Sequence, residues 1–192
     1  MKTTLKIILA AAALLIGSCT PAMAREGVSR WCVSTNIPTW LLLGTANAEL
    51  HLATGNHWSV QAGIKYNPFT YAGGTSGQLH IRQLTPSADI RYWADSVWHG
   101  WWAGAGVVVS EYSLALPCCE RYLDGNLAGA ELISGYDFAL SDWLSLSLGA
   151  GVAVAWHRTS YYQGPVCGRL KDRRKGVTIF PSDIIVAMRI NL

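Results

Sequence analysis

The stretch "WLSLSLGAGVAVAW", residues 143–156, decides the fold. From Leu144, every second residue is apolar: Leu144, Leu146, Leu148, Ala150, Val152, Val154 and Trp156. Between them stand Ser145, Ser147, Gly149, Gly151, Ala153 and Ala155. A period of two is the signature of a strand, not of a helix. A half-buried strand in a water-soluble sheet turns charge outward on one side, and this one carries none. It needs surroundings that accept large apolar groups on one face and very small groups on the other.

Working outward, the same period predicts strands over 30–39, 46–53, 58–67, 80–93, 100–112, 127–139, 143–156 and 177–191. The connectors alternate. Short turns, "TGNH" (54–57), "ADSVWH" (94–99) and "LSD" (140–142), are interleaved with long loops over 68–79, 113–126 and 157–176. Short turns at one end and long loops at the other are the pattern of a bacterial outer-membrane barrel, and an even strand number puts both chain ends on the short-turn side. Pro86 and Pro181 fall inside predicted strands, where a residue without an N–H marks a bulge or the true start of a strand. The chain ends "MRINL", without the terminal aromatic residue common in such barrels.

Charge follows the faces. Glu49 and His51 oppose Ala48, Leu50 and Leu52, and Lys65 opposes Ile64 and Tyr66. Glu131 and Asp137 oppose Leu132, Tyr136 and Phe138; Asp183 and Arg189 oppose Ile184, Met188 and Ile190. Asp89 and Arg91, two apart on one strand, share a face. A soluble ligand-binding barrel would hide the apolar face, but the Ser, Gly and Ala of 145–155 make a poor water-facing exterior. They suit the crowded interior of about eight strands. Trp58, Trp93, Trp98, Trp101, Trp102 and Trp143 lie beside the short turns, with Trp40, Tyr66, Tyr112 and Trp156 near the other strand ends. This spacing predicts two interfacial aromatic girdles.

The chain is 51% hydrophobic and 14% charged over 192 residues, against about 25% charged in soluble domains. It begins with Lys2 and Lys6 before an apolar run and the small-x-small site "AMA" at 22–24, which reads as a secretory signal peptide over 1–24 and a mature barrel domain over 25–192. "LIGSC", ending at Cys19, offers the alternative of a lipidated N-terminus. Removing Lys2 and Lys6 from the 15 basic residues leaves 13 against 12 acidic ones, a balance that points to no nucleic-acid partner. Cys32, Cys118, Cys119 and Cys167 remain in an exported chain, where thiols can oxidise. A bridge from Cys118 or Cys119 to Cys167 and free or mutually paired thiols are both open.

"STNIPTWLLLGTANAELHL", "WSVQAGIKYNPF", "PSADIRYW", "SGYDFALSDWLSLSLGAGVAV" and "FPSDIIVAMRINL", in this order, resemble the domain-of-unknown-function family numbered 3575. The resemblance implies a small bacterial outer-membrane barrel and brings no activity with it. Members often carry Glu where Asp89 stands here.

Three chemistries follow as expectations. Glu49, His51, Lys65, Asp89, Arg91, Glu131, Asp137, Asp183 and Arg189 form an ion network that fills the lumen, since buried charges persist when paired; the alternative is a polar pore. Arg169, Lys171, Arg173, Arg174 and Lys175 form a basic loop, solvated or bound to lipopolysaccharide phosphates. His157 with Ser160, oriented by Glu111, is the one local candidate for a lipid-modifying enzyme. No phosphate loop, metal motif or nucleophile elbow is present in the sequence, so no cofactor is expected. The whole predicts a monomeric, non-enzymatic barrel in the bacterial outer membrane, both ends periplasmic, which serves envelope integrity, adhesion or surface recognition and contacts lipid, lipopolysaccharide or an extracellular protein or ligand. A narrow solute channel and a lipid A-modifying enzyme are the alternatives.

Overall fold

A computed structural model describes residues 29–42, 44–71, 79–115, 121–163 and 169–192. The predicted signal peptide, Cys19, and Cys118, Cys119 and Cys167 with their possible bridge lie outside these residues.

The described chain is all-β except for one short helix. In chain order it forms β1 (Trp31–Asn36), α1 (Ile37–Leu41), β2 (Ala46–Ala53), β3 (Trp58–Asn67), β4 (Thr70–Tyr71) and β5 (Leu79–Trp93). Then come β6 (Gly100–Ala115), β7 (Arg121–Ala139), β8 (Leu144–Gln163) and β9 (Leu170–Asn191). Each long strand pairs antiparallel with its chain neighbour, β3 pairs with β5, and β1 pairs with β9, so eight strands close into a ring. β4 is a two-residue strand that, among the described residues, pairs with the far end of β5. No described helix is long and apolar enough to cross a membrane.

The expected periodicity places the faces correctly, and it does so inside out. Ser145, Ser147, Ala153 and Ala155 of β8 are buried within the ring, while Leu148, Val152, Val154 and Trp156 lie exposed on its outside. Leu50, Ile64, Ile90, Val107, Leu132, Ile184 and Met188 are likewise exposed on the outer face. The small residues of β7 and β8 make room for bulky side chains of β6 and β7 that lean over them. A Cβ placed on Gly135 would stand 2.6 Å from the Trp102 ring, one on Gly149 3.2 Å from it, and one on Gly151 2.7 Å from Ile133. The opening stretch is small on one side because an eight-stranded interior has no further space.

Strand lengths divide the ring into a low and a tall wall. β1, β2 and β3 have 6, 8 and 10 residues, whereas β8 and β9 have 20 and 22. The long loops expected over 113–126 and 157–176 are therefore mostly strand. β7 begins at Arg121, and β8 continues to Gln163 opposite β9. The reason is mutual: once β7 and β8 stay paired, Thr159, Tyr161 and Tyr162 continue a β-prone run whose backbone has a partner on either side. In the other direction, the first strand stops at Asn36 instead of 39, because Pro38 sits in the first turn of α1, where its missing N–H costs nothing.

Both prolines mark irregularities. The register between β8 and β9 shifts beside Pro181, leaving Ser182 as the extra residue between Gly151↔Asp183 and Val152↔Pro181. The β5–β6 pairing is interrupted at Thr85 and Pro86, between Leu84↔Glu111 and Ser87↔Val108. A residue that cannot donate to the ladder is tolerated at such points.

Candidate functional site

The interior charges were readable from parity, and all nine face inward. Their partners come from the same strand, from a neighbouring strand, or from strands further round the ring. Arg91 Nε donates to Asp89 Oδ1 at 2.8 Å, and Lys65 Nζ to Asp183 Oδ2 at 2.7 Å. Arg189 pairs with Asp137, both essentially without exposure, and also donates to Ser145 Oγ at 3.1 Å and to the Trp98 carbonyl at 3.3 Å. Glu49 accepts from Ser34 Oγ at 2.6 Å, and the same hydroxyl lies 2.8 Å from His51 Nε2. In this trio the carboxylate binds the hydroxyl and not the far ring nitrogen, so it lacks the arrangement in which a carboxylate orients a histidine base toward a nucleophile. Glu131, 8% exposed, has no basic side chain within ion-pair distance among the described residues.

One end of the interior is closed by aromatic side chains. Trp93, Trp98 and Trp102 are buried there, Trp93 meeting Trp98 edge-on at 5.5 Å. The Arg189 guanidinium lies 4.9 Å from the Trp98 ring and 5.2 Å from that of Trp93, and Arg91 lies 4.3 Å from Trp102. Cations over indole faces in a dry site are favourable beyond packing. Trp98 adopts φ 72°, a backbone region costly for a bulky residue. It is held there by its indole N–H, which donates to the Ser29 carbonyl at 2.8 Å, and by Arg189 on its own carbonyl.

This corrects the expected girdle. Three of its six Trp residues point inward: Trp93 shares the parity of Asp89 and Arg91, Trp102 pairs with it in register, and the φ of Trp98 folds the 94–99 turn into the interior. Trp58, Trp101 and Trp143 do lie outside, joined by Trp31, Tyr92 and Phe138. At the other end Trp40, Tyr66 and Trp156 face outward, but Tyr112 turns in and its hydroxyl meets Thr159 Oγ1 at 2.7 Å. Position along the strand suggested the belts; parity along the strand would have sorted them.

The opposite half of the interior is open. A cavity of about 680 Å³ is bounded by Lys65, Asp183 and Glu131 below and by Val108, Leu114 and Leu127 on the tall wall. The interior therefore contains an open space beside the ion pairs.

The basic segment is not a loop. Lys171, Arg173, Arg174 and Lys175 belong to β9, with Arg169 just before it, and their side chains divide between faces. Arg173 and Lys175, opposite Ser160 and Arg158, share the outer face with Arg158. Arg174 lies on the other face, 5.2 Å from the Tyr161 ring and 2.9 Å from Asp172. That guanidinium, hydrogen-bonded to Asp172, holds its carboxyl below the usual aspartate range. The His157, Ser160 and Glu111 set does not assemble either. His157 Nδ1 lies 3.0 Å from Thr159 Oγ1 on the inner face, and Ser160 and Glu111 have outer-face parity. Asn36, Asn47, Ser34 and Ser145, which complete the buried hydrogen bonds, were not anticipated; their inward parity was the available signal.

Searches among curated proteins and among solved structures give no match. A family model described as "Protein of unknown function (DUF3575)" matches residues 10–190, nearly the full length, and the chain belongs to that family.

Proposed function

We propose that this chain is an eight-stranded barrel of the bacterial outer membrane, closed to solutes at its short-turn end, with a structural or surface-interaction role and no enzymatic one. The observation that carries this reading is the inverted distribution of side chains. Leu132, Val154, Ile184 and other large apolar groups are exposed outside, while Asp137, Arg189, Asp89 and Arg91 are buried inside. In water the exterior would be an apolar patch far larger than monomeric proteins tolerate. In a bilayer it is the expected surface, flanked by aromatic belts.

The basic residues support a lipid contact at the far rim. On the outer face Arg158 and Lys175 follow directly after the Trp156–Val177 pair, and Arg173 follows next. Cations placed just beyond an apolar band stand at the height of lipopolysaccharide phosphates, which Arg can grip in a forked manner. Replacing Arg158, Arg173 and Lys175 with Gln lowers binding to lipopolysaccharide micelles by about tenfold or more, measured by titration calorimetry; replacing Arg174, on the other face, leaves it unchanged.

The direct test of the barrel is the folded protein in detergent. Its band shifts on a gel between unheated and boiled samples, and the chain fractionates with outer membranes. In a planar bilayer it gives no discrete conductance steps, because the indole cluster and the Arg189–Asp137 pair fill the short-turn end. Stable stepwise current would establish the channel alternative instead, and a folded chain that stays in solution without detergent would overturn the reading.

A further inference from the structure

The ring has a weak place in its wall. Along Leu170–Val186, β9 has β8 on one side, while its pairing with β1 begins only at Ala187↔Asn36. Asn36 finishes the ladder with its side chain: its Oδ1 accepts from the Val186 N–H at 3.0 Å, and its Nδ2 donates to the Ile184 carbonyl at 2.9 Å. Beyond it the chain turns into α1 instead of continuing as a strand, and β9 is itself broken by Pro181 and the bulge at Ser182. The two sides of this seam, Pro38 of α1 with Leu42 just after it and Phe180 and Ile184 of β9, both line the cavity of about 680 Å³. Its outer lips are apolar: Leu41 is 81% and Ile184 66% exposed.

The cavity has the size of a ligand site, about 300–1,000 Å³, and its polarity is graded. Among the described lining residues its charges are one cation against two carboxylates, and the cation, Lys65, is already held by Asp183 at 2.7 Å. Glu131 remains as a buried carboxylate lining the space, outside ion-pair distance of any described basic side chain. Buried charge of this kind is stabilised by an opposite charge.

We propose that the cavity binds a single-chain amphiphile with a cationic head, the head resting between Glu131 and the Lys65–Asp183 pair and the tail leaving through the α1–β9 seam into the surrounding lipid. The seam route rests on the outer face being lipid-facing; the head site does not. An occupant held this way adds no strand to the ring and needs no opening at the short-turn end. The tail lies against Leu42, Phe180 and Ile184 and continues outward, so the cavity sets no limit on its length.

The full chain, folded in maltoside micelles, is offered dodecyltrimethylammonium, dodecylphosphocholine and dodecanoate in turn, and adducts are read by native mass spectrometry. One dodecyltrimethylammonium is retained per chain, about tenfold or more above dodecanoate, and tetradecyl and hexadecyl homologues bind no worse. Glu131→Gln, nearly isosteric, removes the preference for the cationic head, and Leu127→Trp, which fills the cavity, removes the adduct altogether. Equal retention of all three heads, or an adduct that neither variant changes, overturns the site; a sharp cut-off in chain length overturns the seam. Fractionation of the chain with membranes is scored separately. A membrane-inserted chain with no adduct overturns the site alone, and a water-soluble chain overturns the outer-membrane reading.

Discussion

Replacing Arg189 with Met lowers the unfolding free energy of the protein by about 3–5 kcal/mol. Asp137 has no exposure, and its guanidinium partner is 1% exposed, so removing the cation strands a carboxylate where water cannot reach it. Arg189 also lies over two indoles and holds the Trp98 carbonyl, so the change loosens the 94–99 turn as well. Urea titration of the vesicle-inserted protein, followed by tryptophan fluorescence, reads the loss. The double variant Arg189→Met with Asp137→Leu recovers most of it, because a charge pair replaced by apolar groups of similar size is close to neutral. A single variant within about 1 kcal/mol of the parent, the range of exposed ion pairs, would mean that water reaches this end of the interior.

Leu132→Arg costs about 2–4 kcal/mol in the same assay, whereas Val177→Arg costs about 0–1 kcal/mol. The two side chains are almost equally exposed on the outer face, 64% and 63%, so in water neither substitution would matter much. They differ in depth. Leu132 pairs with Ala105 and Val152 midway between the two aromatic belts, and Val177 pairs with Trp156 at one of them. A charge at the centre of a hydrocarbon layer is expensive, and one at its edge reaches polar surroundings. Equal costs at both positions would remove the case for lipid around the ring.

The eight strands were legible because the interior of a narrow ring leaves a strict mark: one small or polar residue inward, one large apolar residue outward, repeated along each strand. The 143–156 stretch carries that mark without interruption, and β2 and β3 end where the periodicity said they would. The upper ends were not legible. Residues 157–163 and 170–176 look like loop by composition, yet each strand is held by its neighbour, and pairing overrides the local preference. The helix was missed although Pro38 announced it. In the site, parity placed all nine charges inside, but not their partners: Lys65 and Asp183 are 118 positions apart, and what joins them is the circumference of the ring. The three inward Trp residues show the cost of judging aromatic side chains by height alone.

The junction of β1 with β9 has a kinetic consequence. Cys32 and Asn191, hydrogen-bonded across it, are separated by 159 positions, so the first strand made by synthesis must wait for the last before the circle is complete. Contacts of such long sequence separation form slowly. Until then the nascent hairpins present two raw margins able to recruit other chains. Deleting only the final strand segment, Ala187–Asn191, therefore leaves a polypeptide that aggregates during assembly, even though every hairpin upstream is intact.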